Sequence, residues 1–328
     1  MLADELAADR REDCRGNAPP VNCDAASIRW SVRQLANPSC LHDTSSPGRH
    51  LRMEYTRMPP AVSARLRVVV AAAIAVAPVP TAAQARVDLT YLANMGVLLE
   101  SGGRRVIIDG FHRGELAEYA PVPAAMLESL EQARAPFRTL DLMIATHRHR
   151  DHFNAASVAA RLRADSSVVF LAARETVDSL VARTDGLANH PRVWAAQTSA
   201  STGHHLSIAG VDVTVLDLPH NPTPSQRVAN VGVIVELGGL RVLHVGDAFA
   251  APTTFARHQL ASRPVDVAIV PFWYFANENA EVLRLIGARR WIATHVPPAD
   301  TAAVRKRVHA ADATAIVLTT SGERVSLP

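Results

Sequence analysis

The segment Thr146-His147-Arg148-His149-Arg150-Asp151-His152 places four groups able to ligate a metal within six residues. It directly follows Leu142-Met143-Ile144-Ala145, an apolar run with the length of a buried strand. Side-chain direction alternates along a strand, so His147 and His149 project from one side as the strand runs out. Asp151 and His152 come where the loop folds back, and a second ligand set then faces the first. Imidazole and carboxylate donors suit zinc, and also iron or manganese. A lone histidine is common on a protein surface; a cluster this tight is not.

The elements that must hold this segment are short β-branched runs alternating with Ala-, Arg- and Leu-rich helical patterns from Val87 onward. Strands are predicted at Val87 to Tyr91, Val97 to Glu100, Arg105 to Ile108, Leu142 to Ala145, Val168 to Leu171 and His205 to Ile208. Further strands follow at Val211 to Leu216, Val231 to Leu237, Leu240 to Leu243, Val267 to Val270 and Trp291 to Thr294. Helices are predicted near Ala124 to Arg134, Ala155 to Arg163, Glu175 to Arg183, Ala280 to Ile286 and Thr301 to His309. Gly102-Gly103, Ala209-Gly210 and Gly238-Gly239 read as hairpin turns, where glycine supplies positive φ. Hairpins mixed with helices point to sheets covered by helices and not to a regular βαβ repeat. No Gly-rich phosphate loop of the P-loop or dinucleotide type is present in the sequence.

The His-x-His-x-Asp-His pattern at a strand end resembles the hallmark of the metallo-β-lactamase superfamily, and the match to it is complete. The resemblance continues through Leu89-Thr-Tyr-Leu-Ala-Asn-Met-Gly96 as an opening strand and turn, Val106-Ile-Ile-Asp109 as the next strand, and three later ligand positions in the expected order. It implies an α/β (α+β) chain folded as a four-layer αββα sandwich, a single domain over residues 86–328. The chain looks most like the branch that includes L-ascorbate-6-phosphate lactonase and N-acylphosphatidylethanolamine phospholipase D. On this resemblance His147 and His149 bind one metal ion with His220, in Leu216-Asp-Leu-Pro-His220-Asn. Asp151 and His152 bind a second with His295, in Trp291-Ile-Ala-Thr-His295-Val-Pro-Pro, and Asp247, in Leu243-His-Val-Gly-Asp247-Ala, bridges both. Many true β-lactamases carry Cys or Ser at the bridging position, whereas Asp belongs to the lactonase, glyoxalase II and phosphodiesterase branches. Antibiotic hydrolysis is therefore disfavoured.

The implied chemistry is hydrolysis of a small ester, lactone or phosphodiester by a water whose pKa drops toward neutrality between two divalent ions, zinc or else iron or manganese, roughly 3.5–4 Å apart. Asp151, which also orients that water, and Asp247 are the implied catalytic residues. The alternatives are a flavodiiron-like redox protein and a non-catalytic, metal-stabilised binding protein. Asp109 is expected either to accept a ring N–H from a ligand histidine or to serve as a turn residue before Gly110. Asn94 stands where relatives carry a histidine or another polar group. Phe272-Trp273-Tyr274-Phe275 reads as core packing or as a wall over the metals. His244 is a candidate contact behind the ligands, and His112, His190, His204, His205, His258 and His309 read as solvated or core histidines.

With 48% apolar and 20% charged residues, the composition is that of a globular protein able to bury a full core. The net charge of +3 is small, and the basic residues, almost all Arg, form no run. That excludes a nucleic-acid footprint and leaves a small-molecule substrate as the partner. The segment 58–85 reads as a secretory signal peptide: Arg65 and Arg67 form the n-region, Val68 to Ala77 the apolar run, and Ala83-Gln84-Ala85 the cleavage site. Its uncharged run is short of the ~20 residues needed to span a bilayer, so no stable membrane insertion is expected after cleavage. The expected location is the periplasm or the exterior. Residues 1–57 read as a disordered leader or as the result of a start codon placed too early, Met53 or Met58 being the real one. They hold all the cysteines, Cys14, Cys23 and Cys40, so thiolate ligands are excluded from the mature chain.

Overall fold

Near-continuous apolar runs such as Leu142–Ala145 and Val267–Pro271 build two sheets whose strands carry apolar residues on both faces. The computed structural model describes residues 86–114, 116–198, 202–221, 223 and 228–327. The leader and signal segments expected over 1–57 and 58–85 lie outside the described residues. The first sheet contains β1 (Val87–Ala93), β2 (Gly96–Ser101), β3 (Arg104–Ile108), β4 (Leu142–Ala145), β5 (Val169–Ala173) and β6 (Val193–Ala196). The second contains β7 (His204–Ile208), β8 (Val211–Asp217), β9 (Val231–Leu237), β10 (Leu240–His244), β11 (Val267–Pro271), β12 (Arg290–Thr294) and β13 (Ile316–Val317). The last strand, β14 (Arg324–Leu327), returns to pair antiparallel with β1, giving the orders β14-β1-β2-β3-β4-β5-β6 and β13-β12-β11-β10-β9-β8-β7. Each sheet is half antiparallel hairpins and half parallel: β3 to β6 run parallel in the first, β10 to β13 in the second.

Three apolar layers follow, because side chains alternate between the two faces along each strand. Leu89, Val97, Leu99, Val106 and Ile108 of the first sheet pack against Val213, Val233, Val235, Val242 and Ile269 of the second. The intervening residues Leu98, Ile107, Met143 and Phe170 face outward onto α1 (Ala124–Glu131), α2 (Ala155–Ala164) and α3 (Arg174–Arg183). On the opposite side Ile234, Leu243, Ala268 and Val270 meet α4 (Pro252–Ala256), α5 (Ala280–Ile286) and α6 (Thr301–Ala311). The result is the αββα order of layers.

The predicted hairpin turns all form, with φ of 55° and 80° at Gly102 and Gly103, 51° and 74° at Ala209 and Gly210, and 57° and 80° at Gly238 and Gly239. Every predicted strand is present, and β6, β13, β14 and α4 are added. These are short segments at sheet edges or in a connection, where two to five residues carry too little periodicity to be read. The first helix ends at Glu131, earlier than the expected Arg134, because Ala133 turns into a left-handed conformation (φ 50°) ahead of Pro136. Among the described residues no helix is long and apolar enough to cross a membrane.

Candidate metal centre

Each of the seven expected ligands stands beyond the carboxyl end of a strand. The parallel strands β3 and β4 end at Ile108 and Ala145 and deliver Asp109 and the His147–His152 segment side by side. In the other sheet β10 leads to Asp247, β12 leads to His295, and β8 leads to His220. The His147–His152 segment closes on itself through a helical turn, His152 N and Phe153 N donating to the His149 carbonyl at 3.0 and 2.9 Å. Asn154 then caps α2 by accepting from Ser157 N, which fixes where the loop ends.

The seven side chains form two groups, His147–His149–His220 and Asp151–His152–Asp247–His295, the ligand atoms of each lying within 4.8 Å of one another. The first is partly open, with His149 and His220 half-buried; the second is wholly buried. The rings of His147 and His152 lie 4.1 Å apart across the two groups, and one oxygen approaches both. Asp247 Oδ2 lies 3.2 Å from His152 Nε2, 3.1 Å from His295 Nε2 and 3.7 Å from His220 Nε2. Asp151 Oδ2 lies 3.5 and 3.3 Å from the same His152 and His295 nitrogens.

The donor set fits a divalent metal. Nε2 of His147, His152 and His295 and Oδ1 of Asp247 are buried without hydrogen-bond partners, which is costly unless a cation takes their lone pairs. The opposite ring nitrogens of His147, His152 and His220 are occupied, and that selects their tautomers, whereas His295 Nδ1 is buried without a partner. Asp109 accepts from His152 Nδ1 at 2.8 Å, from Thr146 N at 2.8 Å and from the Thr146 hydroxyl at 2.7 Å. Having donated its proton, the Thr146 oxygen accepts from His147 Nδ1 at 3.1 Å. His220 Nδ1 likewise donates to Asn221 Oδ1 at 2.6 Å. In each case the network leaves Nε2 free as the ligand atom. Asp109 thus takes the ring nitrogen of His152, as one expectation had it, and with φ of 50° before Gly110 it is the turn residue of the other as well.

Protonation follows the same geometry. Burial holds His147 well below its usual pKa and takes His149 down to about 4, neighbouring imidazoles adding to the effect, so both rings are neutral. Burial alone would lower His152 and raise Asp151 and Asp247; their mutual attraction wins, keeping His152 well above and both carboxyls well below their ordinary ranges. His295 is opposed by burial but lifted to about 9 by Asp247 and Asp151. In metal-free protein, protons on His152 and His295 therefore balance charge that a cation would otherwise balance.

A raised folded-state pKa stabilises fully below the unfolded value, ordinarily 6.5, and that contribution is lost as pH climbs through about 9. Chelated protein is thus expected to melt at a lower temperature at pH 9 than at pH 6.5. Metal-loaded protein, in which these rings are neutral ligands, should show a smaller difference. Melts at both pH values with and without chelator check this, and equal melting temperatures in the chelated samples would refute it.

Two further residues position the centre: Asn94, noted above only as standing where relatives carry a histidine or another polar group, and Asn230, which the sequence did not mark. Asn94 donates from Nδ2 to Asp151 Oδ2 at 2.9 Å and to the Asp151 carbonyl at 3.2 Å, while its own carbonyl accepts from His295 N at 3.1 Å. Asn230, buried, donates to the Leu218 and Val245 carbonyls at 2.7 and 3.0 Å and accepts from Asp247 N at 3.2 Å, tying the His220 and Asp247 loops together. Gly246 passes so close that a Cβ there would sit 2.3 Å from Asn230 Oδ1. Asn94, Asp109 and His295 all have left-handed backbones, with φ of 51°, 50° and 59°. Such conformations are tolerated by Asn and Asp and uncommon for His, and they concentrate at functional sites.

The remaining histidines and the aromatic run divide. His244 donates to the Met95 carbonyl at 3.0 Å and accepts from Gly246 N at 3.2 Å, so it holds the Asp247 loop without touching a ligand side chain. His112 is fully buried and is pushed down to about 4 by burial and by the nearby His152. Tyr274 and Phe275 are core, as packing would have it. Trp273 instead sets its ring 4.9 Å from His295, whose ring Tyr119 also meets, at 4.1 Å.

Comparison with known proteins agrees with this geometry. Residues 88–295 match the model of the β-lactamase superfamily domain. The chain is 26% identical over 238 residues, 69% of its length and 93% of the relative's, to a metal-dependent hydrolase of Thermococcus onnurineus. It is 30% identical over 165 residues, 48% of its length and 60% of the relative's, to one of Aeropyrum pernix. Among solved structures it resembles the metallo hydrolase Igni18 of Ignicoccus hospitalis, at TM-score 0.51 and 19% identity over 74% of this chain and 99% of that one. It also resembles the metallo-β-lactamase fold protein YhfI of Bacillus subtilis, at TM-score 0.51 and 16% identity over 74% and 99%. Because the matched span begins in β1 and ends on His295, taking in every ligand position described above, the chain belongs to the β-lactamase superfamily and its two-sheet sandwich is the metallo-β-lactamase fold.

Proposed function

We propose that this chain is a metal-dependent hydrolase that uses two divalent ions, preferably zinc, to cleave a small ester, lactone or phosphodiester. His147, His149 and His220 would hold one ion, Asp151, His152 and His295 the other, with Asp247 shared between them. The observation that carries this reading is the single Asp247 oxygen standing 3.1 to 3.7 Å from imidazole nitrogens of both ligand groups. The relatives' description as metal-dependent hydrolases supports it. When bound, such ions supply an acidified water and positive charge against a developing oxyanion.

The chain's own residues make that chemistry directional. Asp109 and Thr146 hold His152 and His147 in the tautomers that turn Nε2 inward. Asn94 pins Asp151 Oδ2, and the Asp151 carboxylate, held ionised by its neighbours, would orient a water there. The half-open His149–His220 side gives a substrate its approach, while the buried group stays screened from bulk water.

Protein purified without chelator is expected to contain close to two transition-metal ions per chain, and His147→Ala or His149→Ala should each abolish loading at one site. Elemental analysis finding one ion or none, with no uptake on adding zinc, would defeat the two-metal reading. Activity on a panel of lactones, esters, phosphodiesters and β-lactams tests the reaction class, with β-lactams expected to be the poor substrates. We also propose export, supported by the charged, apolar and small-residue succession in segment 58–85. Mass spectrometry of native protein should find Arg86 at the N-terminus; finding residues 1–57 attached would refute that.

A further inference from the structure

Aromatic residues stand by both ligand groups: Phe249 beside the loop that carries His220, and Trp273 and Tyr119 against the ring of His295. Phe249 is 45% exposed, one of the few large apolar side chains so exposed among the described residues. Its position is fixed at the junction of two ligand loops: its N–H donates to the Pro219 carbonyl at 3.0 Å, next to His220, and it lies two residues beyond Asp247. The Ala248 carbonyl accepts from the Tyr274 hydroxyl at 2.7 Å, which seats this turn against the segment carrying Trp273. Trp273 and Tyr119, both half-buried, meet the His295 ring edge-on. Two arginines near these loops already have acidic partners, Arg148 with Glu175 and Arg257 with Asp217. An apolar surface held rigidly beside reactive groups is what orients the non-reacting part of a substrate.

We propose that this rim is an acyl-binding subsite and that the substrate is a carboxylic ester with an uncharged alkyl or aryl acyl group lying against Phe249, with Trp273 and Tyr119 flanking the reacting carbonyl. The inference rests on the hydrolase reading above and names its substrate class. In the reaction, water oxygen bonds to the acyl carbon and the bond from that carbon to the leaving alcohol oxygen breaks. One proton of the water goes to the alcohol, the other is released as the carboxylic acid ionises.

The test uses zinc-loaded protein with p-nitrophenyl acetate, butyrate and hexanoate, with bis(p-nitrophenyl) phosphate as the opposing substrate. Calorimetric binding of acetate and hexanoate, the product acids, runs alongside. Two additional buried methylenes should raise kcat/KM about tenfold from acetate to butyrate, and hexanoate should bind at least about tenfold more tightly than acetate. Phe249→Ala should flatten both gradients to under about threefold, acting through KM; because that side chain is nearly half exposed, its removal opens no core cavity. Absence of a gradient in the wild type, or gradients unchanged in Phe249→Ala, would overturn the subsite. A binding gradient without turnover of any ester or phosphodiester would keep the subsite and overturn the hydrolase reading. Turnover of the phosphodiester with no gradient would do the reverse.

Discussion

Asp247→Ala is expected to lose at least about a hundredfold in turnover while retaining the fold. Its Oδ2 lies near imidazoles of both ligand groups, so its loss removes an anion from both together. The remaining charge is then less balanced and the ligands less fixed relative to one another, and misplacement on the order of 1 Å can cost about a hundredfold. The fold should survive because the position is held through its backbone: Asp247 N donates to Asn230 Oδ1, which the substitution leaves intact. Six other ligands persist, so metal content should fall only in part. Metal content, melting temperature and turnover measured on one preparation decide the matter, and wild-type turnover would remove Asp247 from the shared position.

Asp109→Ala should act in the opposite proportion, damaging stability and metal affinity together. The carboxylate is 1% exposed and accepts from Thr146 N, the Thr146 hydroxyl and His152 Nδ1. Deleting it leaves a buried backbone N–H and a buried ring N–H without acceptors, at a cost of about 3–5 kcal/mol for breaking a buried polar cluster. Alanine is also a poor occupant of φ 50°. Loss of the partner that orients His152 should weaken metal binding by about 10–100-fold. Asp109→Asn, which tolerates the left-handed backbone and keeps one acceptor oxygen, should fall between. Urea denaturation and zinc titration of both variants test this; an Asp109→Ala protein with unchanged midpoint and zinc affinity would show that the contacts are incidental.

How far the centre was legible depended on how its parts are arranged in the chain. His147 to His152 could be read directly because the ligands are contiguous after an apolar strand. His220, Asp247 and His295 are separated by whole strands, and each is an ordinary polar residue after a β run. They became readable through a family resemblance in their order, and the folded chain brings them to the His147–His152 loop. Asn230 escaped because it acts on backbone carbonyls and an amide of distant loops, a role that requires no spacing and no partner type, while Asn94 was marked only as standing where relatives carry a histidine or another polar group, its bond to the Asp151 carboxylate being a product of the fold. The aromatic run shows the same limit: four adjacent rings in sequence divide between core and metal centre only after a 3-10 turn rotates Trp273 away from Tyr274 and Phe275.

The unequal burial of the two ligand groups bears on the rate at which metal exchanges. An ion among His147, His149 and His220 has solvent-reachable ligands, so a chelator could attack it directly. An ion among Asp151, His152, Asp247 and His295 is walled by side chains no more than 7% exposed, and its release requires the loops pinned by Asn94 and Asn230 to open. Extraction by a strong chelator should therefore proceed in two phases, a fast one that depends on chelator concentration and a slow one limited by loop opening. Weakening the pin with Asn94→Ala should accelerate the slow phase and leave the fast phase in place.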